Sequence, residues 1–356
     1  MCDRAVTRHL VLRDPRWKVP MSGVIAFPYP SLTVAKVRAL LLGVLLAFTA
    51  TSTSALAQTP GDVQPDSFPT ASPPAGTPRA GGPLSVVTTT SLLADLVRQV
   101  GGPRVAVETL LPANADPHDY EPAPEDVGRV EAATLVVQHG LGLDAWAERL
   151  VDNTGGDFAV VTATEDIPTL SSDEKDFGDG DPHVWFDPTH VQAMVTTLSI
   201  ALSGVDPEGE LTYRTRATSY RTQLTALDVA IAERIATIPP ERRKLVTNHD
   251  ALAYYAERYG LEIVGTVIPS LDTRAEASAR EVAKLLEAIA AENVNVIFTE
   301  KTTGSGLAVE LAGQAGIAIV DDLYTDSLGP PGSDADTYIG LMWYDTTRIV
   351  DALRSQ

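Results

Sequence analysis

Cysteine is almost absent from the sequence, since only Cys2 carries a thiol among 356 residues. A chain with one cysteine cannot form an internal disulfide, and it offers no cluster of thiolates to hold zinc or an iron–sulfur centre. No cysteine follows the apolar N-terminal run described below, where a lipid would be attached. We therefore expect neither a disulfide scaffold nor a lipid anchor.

Basic residues are also scarce, with 27 Lys and Arg against 47 Asp and Glu. Residues 58–356 alone hold 20 basic and 45 acidic residues. A surface of this sign repels the phosphates of nucleic acids and the headgroups of anionic lipids. Nucleic acid is therefore excluded as a partner, and the carboxylates keep the protein soluble while weakly concentrating cations.

The apolar run near the N-terminus is short. It reads ALLLGVLLAFTA over Ala39–Ala50, follows Lys36 and Arg38, and precedes an Ala-Leu-Ala sequence that ends at Ala57. The run is too short for a good transmembrane helix. Basic residues, a short apolar run and an Ala-x-Ala site predict a signal peptide over residues 1–57, with an uncleaved anchor as the alternative. We expect an exported protein, periplasmic or otherwise extracytoplasmic.

Beyond residue 57 the composition changes twice. Residues 58–83 are rich in proline, glycine, serine and threonine, which predicts a disordered linker. Short β-rich runs then alternate with helical patterns, which predicts an α/β fold with parallel sheets flanked by helices. One longer helical pattern, stopped by Pro239 and Pro240, divides the alternation into two lobes. We expect one long rigid linking helix between the lobes and a metal site in the cleft between them. The predicted boundaries are 84–206 for the N-terminal lobe, 207–240 for the linking helix and 241–356 for the C-terminal lobe.

Three of the six histidines have related surroundings. His118 and His183 each follow Asp-Pro, and His249 follows a predicted strand. Proline keeps the residue before it extended and so stiffens the approach to the histidine. Neutral imidazole is a good zinc ligand. The spacing matches neither a zinc finger nor an H-E-x-x-H helix, and a single loop histidine is more often a hydrogen-bonded structural residue, so the residues alone leave both interpretations open.

Several longer segments occur in a fixed order. They are LLPANADPHDYEPAPEDVGRVEAATLVV, GLGLDAW, DPHVWFDP, NHDALAYYAERYGL, IFTEKTTG, LYTDSLG and TYIGLMWYDTTRIVDAL. Through them the chain from Leu84 to its C-terminus resembles the zinc/manganese solute-binding proteins of ABC transporters, the cluster 9 or metal-adhesin-like family. The resemblance implies that the metal ligands are His118, His183, His249 and Asp326. It also implies a membrane permease as partner, a metallochaperone as a further candidate partner, and a monomer.

The implied ligand set favours zinc. Three imidazoles and one carboxylate suit tetrahedral Zn²⁺ at roughly 2.0–2.2 Å, whereas manganese prefers more oxygen ligands. Members that resemble manganese importers usually carry a carboxylate at the third position, where this chain has His249. Many zinc-binding members have a histidine-rich loop before the second ligand, but residues 171–181 read SSDEKDFGDGD and contain no histidine. We expect Zn²⁺ as the bound cargo, with Mn²⁺ as the alternative.

Other residues are expected to support the ligands without binding the ion. They are Glu300, His139, Asp187, Tyr120 and Trp185. Glu300 ends a predicted strand and is expected to accept a hydrogen bond from a ligand histidine. Asp187 is expected either to orient the neighbouring ligand or to cap the helix that follows. Tyr120 and Trp185 are expected to wall the site, and His139 to have a supporting or structural role.

These features together predict a protein that captures Zn²⁺ outside the cytoplasm and delivers it to a permease. A complete set of protein ligands leaves no coordination position for a substrate, so we do not expect an enzyme. The alternatives are a manganese-binding importer component, a secreted zinc hydrolase with Glu300 or Asp326 as general base, and an adhesin with structural zinc. The sequence contains no G-x-S-x-G or H-E-x-x-H motif in support of a hydrolase.

Overall fold

A computed structural model describes most of the chain. The described residues are 68–355 without 72, 113, 173–176, 178, 179 and 303. The predicted signal segment, residues 58–67 of the predicted linker and most of the acidic loop 171–181 lie outside the described residues. Within the described part, no helix has both the length and the apolar character that crossing a membrane requires.

The N-terminal half alternates strands and helices. It contains β1 (Leu84–Thr88), α1 (Ser91–Gly101), β2 (Val105–Thr109), α2 (Pro124–Glu131), β3 (Leu135–Gln138), α3 (Ala145–Asn153) and β4 (Ala159–Thr162). Two helices follow, α4 (Pro188–Val205) and α5 (Glu210–Ile235). The C-terminal half contains β5 (Lys244–Thr247), α6 (Ala253–Tyr259), β6 (Glu262–Thr266), α7 (Ala279–Ala291), β7 (Val296–Glu300), α8 (Gly306–Ala315), β8 (Ala318–Leu323) and α9 (Tyr338–Arg354).

The two halves have the same sheet topology. The strand order is β2-β1-β3-β4 in one four-stranded sheet and β6-β5-β7-β8 in the other. All pairings are parallel, for example between β1 and β2 and between β5 and β7. In both sheets the strand order reverses beside the first strand, where loops at the carboxyl edge open a crevice. The predicted α/β fold with two parallel sheets flanked by helices is confirmed.

Local sequence signals set the helix ends in the C-terminal half. The Ser278 hydroxyl accepts a hydrogen bond from Glu281 N, and the Glu281 carboxylate accepts one from Ser278 N at 2.8 Å, which forms a capping box before α7. Helices α6 and α8 end at Gly260 and Gly316, whose φ angles of 70° and 69° lie in the left-handed region. Glycine adopts that region without a steric cost, so each of these glycines can end its helix.

The long helix α5 is embedded in the core of the molecule. Its buried residues recur every three or four positions along one face, and they include Tyr213, Ala217, Tyr220, Leu224, Leu227, Ile231 and Ile235. This face belongs to a single apolar core that also contains residues of both sheets and of α1, α4 and α9. Because the two lobes share this core with α5, a wide hinge opening would expose buried apolar surface, and we expect the lobes to move little.

The described part of the predicted linker packs on the body although it forms no helix or strand. Arg216 on α5 donates a hydrogen bond from Nη1 to Pro74 O at 2.6 Å. Arg104 donates from Nη1 to Thr77 O at 3.2 Å. Both arginine side chains are largely buried, and the carbonyls satisfy donors that burial removes from water. Main-chain carbonyls accept hydrogen bonds whatever the side chain, so composition alone does not reveal this attachment.

Candidate metal centre

The four residues implied as ligands follow four different strands. His118 lies in the loop after β2, and His183 in the long connection after β4. His249 comes two residues after β5, and Asp326 three residues after β8. Because the carboxyl ends of parallel strands share one edge of a sheet, these loops converge on the cleft between the two halves. The structure thus brings together residues that are up to 208 positions apart in the sequence.

The four side chains face one another at short range. Each offers one ligand atom, and these atoms all lie within 4.8 Å of one another. His183 Nε2 lies 3.4 Å from His249 Nε2 and 3.6 Å from Asp326 Oδ1, and His249 Nε2 lies 3.5 Å from Asp326 Oδ2. A tetrahedral ion with bonds of roughly 2.0–2.2 Å separates its ligand atoms by roughly 3.3–3.6 Å. The spacing therefore fits a small cation bound in the middle.

Two buried polar atoms at this point have no hydrogen-bond partner. They are His118 Nε2 and Asp326 Oδ1, in side chains that are 7% and 1% exposed as residues. An unpaired buried polar atom costs about 1–3 kcal/mol. A cation between them would satisfy both atoms. That these four residues bind the ion stays a prediction, which the spacing and the two unpaired atoms support.

Two acidic residues fix the orientation of two of the four grouped histidine and aspartate side chains, His183 and His249. Asp181 Oδ1 lies 2.8 Å from His183 Nδ1, and Glu300 Oε1 lies 2.7 Å from His249 Nδ1. With its proton on Nδ1, each neutral imidazole donates to the carboxylate and directs the lone pair of Nε2 to the centre. Glu300 Oε2 also accepts a hydrogen bond from Thr325 Oγ1 at 2.9 Å, and its role behind a metal ligand stays a prediction.

The sequence reasoning missed Asp181, although the repeated Asp-Pro-His spacing was a usable signal. Asp181 Oδ1 accepts a hydrogen bond from His183 N at 2.9 Å, and Asp116 Oδ1 accepts one from His118 N at 2.8 Å. An aspartate that bonds the amide two residues later forms an Asx turn. In both motifs the turn holds the backbone of the histidine, and in the second motif the same carboxylate oxygen also reaches the ring.

Asp187 lies at the start of α4. Its Oδ1 accepts a hydrogen bond from Thr189 N at 2.7 Å and so caps the helix. It also forms an ion pair with Arg258 at 3.3 Å. Of the two roles considered for Asp187, capping is the one these contacts describe.

The aromatic candidates have different positions. The Trp185 ring packs against the His183 ring with centroids 5.2 Å apart, and its Nε1 donates to Thr325 O at 3.0 Å. Tyr120 donates from its hydroxyl to Asp126 Oδ2 at 2.9 Å, and its ring packs on Trp146. Trp185 therefore forms one wall of the site, while Tyr120 contacts residues outside the ligand group.

Two further side chains hold the residues just before two of the candidate ligands. His139 is buried, and its Nε2 lies 2.8 Å from Pro182 O, next to His183 in the chain. Trp146, which the sequence reasoning missed, donates from Nε1 to Pro117 O at 3.0 Å, next to His118. His139 thus contacts the loop that carries His183 and does not belong to the group of four.

Burial and neighbouring charges set the protonation of the site. Burial lowers the pKa of His118 and of His183, and nearby imidazoles lower both further. Burial also lowers the pKa of His249, but the charges of Glu300 and Asp326 outweigh it and raise that pKa to about 10. Burial raises the pKa of Asp326 to about 8. Without a metal, the pair His249 and Asp326 therefore holds a proton at neutral pH that an incoming cation must displace.

The chain is similar to metal-binding proteins in every comparison with known proteins. A family model described as zinc-uptake complex component A, periplasmic, matches residues 86–352. The manganese-binding lipoprotein MntA of Halalkalibacterium halodurans is 32% identical over 278 residues, which cover 78% of this chain and 91% of that protein. The periplasmic zinc-binding protein TroA of Treponema pallidum has a TM-score of 0.72 at 31% identity, over 77% of this chain and 99% of that one. A manganese-bound periplasmic metal-binding protein of Candidatus Liberibacter asiaticus has a TM-score of 0.68 at 26% identity, over 75% and 98%.

These relatives correct one expectation. Several of them are named lipoproteins, among them the H. halodurans protein and proteins of Streptococcus mitis and Streptococcus gordonii. The expectation of a protein without a lipid anchor is therefore wrong. It relied on the position of Cys2 relative to an apolar run, and both lie outside the described residues. The extracytoplasmic location is supported.

Proposed function

The chain belongs to the family of periplasmic metal-binding components of zinc-uptake complexes, and on this premise we propose that it captures Zn²⁺ and delivers it to a membrane permease. It is a metal-binding substrate-binding protein of an ABC transporter and not an enzyme, and such a component implies a permease as partner. The proposal includes zinc as the cargo, the four ligands, a monomeric state and a metallochaperone as a further partner. It also includes the lobe boundaries 84–206, 207–240 and 241–356.

The observation that carries zinc is the imidazole of His249 in the ligand group. His249 Nε2 lies 3.4 Å from His183 Nε2 and 3.5 Å from Asp326 Oδ2, as a tetrahedral site with short bonds requires. Only one carboxylate belongs to the group of four. Manganese prefers oxygen ligands, and a set with three nitrogens offers it few. Because relatives of this chain are named for manganese, Mn²⁺ is the second candidate for the cargo.

Competition titration of the purified full chain with Zn²⁺ and Mn²⁺ tests the proposal. We expect the wild-type protein to bind Zn²⁺ more tightly, by at least about 100-fold, because nitrogen-rich sites follow the Irving–Williams order. His249→Glu, combined with Glu300→Gln to avoid two adjacent buried carboxylates, is expected to narrow that ratio by raising Mn²⁺ affinity and lowering Zn²⁺ affinity. Glu300→Gln alone is the matched control.

Two results would contradict zinc as the cargo. One is Mn²⁺ as the sole metal in protein isolated from its own compartment. The other is a wild-type protein that binds Mn²⁺ at least as tightly as Zn²⁺.

Glu300→Gln by itself is expected to weaken Zn²⁺ binding by about 10–100-fold, the usual effect of losing a carboxylate behind a ligand histidine. The amide can still accept a hydrogen bond from His249 Nδ1, but it lacks the charge that makes the imidazole a stronger donor to the metal. Competition with a chromogenic chelator measures the change. Glu292→Gln is the control, because Glu292 pairs with Lys244 at 2.6 Å outside the site; an equal loss in both variants would show that the effect is not specific to the ligand support.

Zn²⁺ affinity is expected to fall as the pH falls from 8 to 6, by about tenfold per pH unit for each proton displaced. The raised pKa values of His249, about 10, and of Asp326, about 8, mean that the metal-free site is protonated in this range. Binding must therefore release protons, and the release opposes binding at low pH. Calorimetry in two buffers with different ionisation enthalpies counts the protons. An affinity that does not change with pH, with no proton released, would contradict this description of the site.

A further inference from the structure

The loop that carries Asp326 comes from the C-terminal half but is fastened to the N-terminal half. On one side of Asp326, Thr325 O accepts a hydrogen bond from Trp185 Nε1 at 3.0 Å. On the other side, Leu328 N donates to Ser91 Oγ at 2.9 Å. Trp185 and Ser91 both belong to the N-terminal half, Ser91 as the first residue of α1. The ligand is therefore held from both directions by the opposite lobe.

A pair of hydroxyls closes this contact. Ser91 Oγ lies 3.3 Å from Ser327 Oγ, and Asn114 N donates to Ser327 Oγ at 3.1 Å. Ser327 is fully buried, whereas Ser91 is partly exposed. These bonds use no atom of the four proposed ligands, so they can form both with and without a bound cation.

We propose that the Ser91–Ser327 hydroxyl pair is a latch between the two lobes, which holds the Asp326 loop over the bound cation and sets the rate at which the cation leaves. The proposal rests on the proposed function, in that a cation occupies the site. Neither serine touches the ion; both are positioning residues that act through Asp326.

The shared core explains why a loop latch controls the rate. Helix α5 packs into both lobes, so separating the lobes exposes buried apolar side chains. Withdrawing Asp326 opens the hydrogen bonds of residues 325–328 and moves one core side chain, that of Leu328, which is a far smaller change. All four proposed ligands are buried, and an ion between them has no exit until one of them moves away. Two small hydroxyls provide the attachment of the Asp326 loop on its C-terminal side, and Trp185 provides the attachment on its N-terminal side.

The effect of losing a hydroxyl follows from hydrogen bonding. In Ser91→Ala the amide of Leu328 has no partner when the loop is closed, but water can satisfy it when the loop is open. This raises the free energy of the closed state relative to the open state. For one hydrogen bond, the ratio of open to closed protein is expected to rise about tenfold. We expect the dissociation rate of Zn²⁺ to rise by about tenfold. The association rate is expected to rise by a similar factor, because the latch also closes the metal-free site and the open loop is the state that admits the ion.

Stopped-flow release of Zn²⁺ into excess chelator tests the latch in the full chain. Ser91→Ala and Ser327→Ala are expected to accelerate release, and their double variant is expected to show less than the product of the two effects, because the residues share one contact. Ser91→Thr keeps the hydroxyl and is expected to restore slow release. Ser203→Ala is the matched control, since its hydroxyl donates to Ser199 O at 2.7 Å within α4. Unchanged release in Ser91→Ala, or equal acceleration in Ser203→Ala, would overturn the latch.

A measurement without metal separates the latch from the proposed function. Amide hydrogen exchange at Leu328 in the metal-free protein is expected to be slow in the wild type and about tenfold faster in Ser91→Ala, with no change in Ser203→Ala. Rapid exchange at Leu328 in the wild type would overturn the latch whatever the protein binds. A wild-type protein that protects Leu328 but binds neither Zn²⁺ nor Mn²⁺ would instead contradict the proposed function, and with it the part of the latch that concerns release.

Discussion

His183→Ala is expected to weaken Zn²⁺ binding by more than about 100-fold, beyond the usual range for losing a group behind a ligand. His183 is fully buried, and its Nε2 lies 3.4 Å from His249 Nε2 and 3.6 Å from Asp326 Oδ1. Alanine removes one of four ligand atoms and leaves a space that water fills only incompletely. A bound water also lacks the orientation that Asp181 gives the imidazole. Competition titration with a chelator of known affinity measures the loss.

His190→Ala is the matched control for this prediction. His190 is on α4, where its ring packs edge-to-face against Tyr254 with centroids 5.4 Å apart, and it is not one of the four grouped residues. We expect its replacement to change Zn²⁺ affinity by less than about threefold, since ligand number and support stay the same. Similar losses in both variants would mean that general destabilisation, and not a lost ligand, explains the effect of His183→Ala.

Asp206→Ala is expected to lower the free energy of unfolding by about 3–5 kcal/mol, the usual effect of removing one partner of a buried ion pair. Asp206 Oδ2 accepts a hydrogen bond from Arg104 Nε at 2.8 Å and one from the Tyr213 hydroxyl at 2.6 Å. Arg104 also places Nη2 at 2.7 Å from the same oxygen. Without the carboxylate, a guanidinium that is only 5% exposed keeps its charge and loses its counterion. Denaturant titration of the metal-free protein measures the change.

The pH dependence of that loss has a definite sign. Burial raises the pKa of Asp206, but the hydrogen bonds from Tyr213 and Arg104 lower it by more. The net effect is a pKa below the ordinary value for aspartate. The carboxylate therefore contributes stability that is fully present above the unfolded pKa near 4 and is lost as the pH falls through the folded pKa. The difference between wild type and variant should shrink below about pH 4. Glu210→Ala is the control, because the Glu210–Arg214 pair is exposed and such pairs contribute about 0–1 kcal/mol.

Most of the fold could be predicted from periodicity, since the buried face of α5 repeats every three or four residues. Helix α2 lacks such a pattern, because only Val127 and Val130 give it apolar character and Val127 is 39% exposed. Its start depends on Asp126, which accepts a hydrogen bond from Ala123 N at 2.8 Å. A carboxylate contact of this kind leaves no trace in hydropathy.

The sequence singles out the four candidate ligands, which the structure groups together, but not all of the residues that contact them. The Asp-Pro-His repeats and the segment order indicate His118 and His183 from the sequence. The support comes from contacts between distant residues, such as Trp146 with Pro117 across 29 positions and Trp185 with Thr325 across 140. Spacing along the chain carries no information about such pairs. For the same reason, the attachment of Pro74 to Arg216 could not be inferred from a composition typical of disorder.

The helix α5, described above as part of a shared core, has a consequence in the terms of chelate chemistry. The N-terminal half supplies two proposed donors, His118 and His183, and the C-terminal half supplies two more, His249 and Asp326. The protein is thus a pair of bidentate chelators mounted on a stiff spacer. Once one pair of donors has bound the ion, binding by the second pair is intramolecular. Its effective concentration is fixed by the fold. Either pair of donors alone would bind the ion weakly. Tight binding therefore requires that both halves hold their donors in the correct relative position.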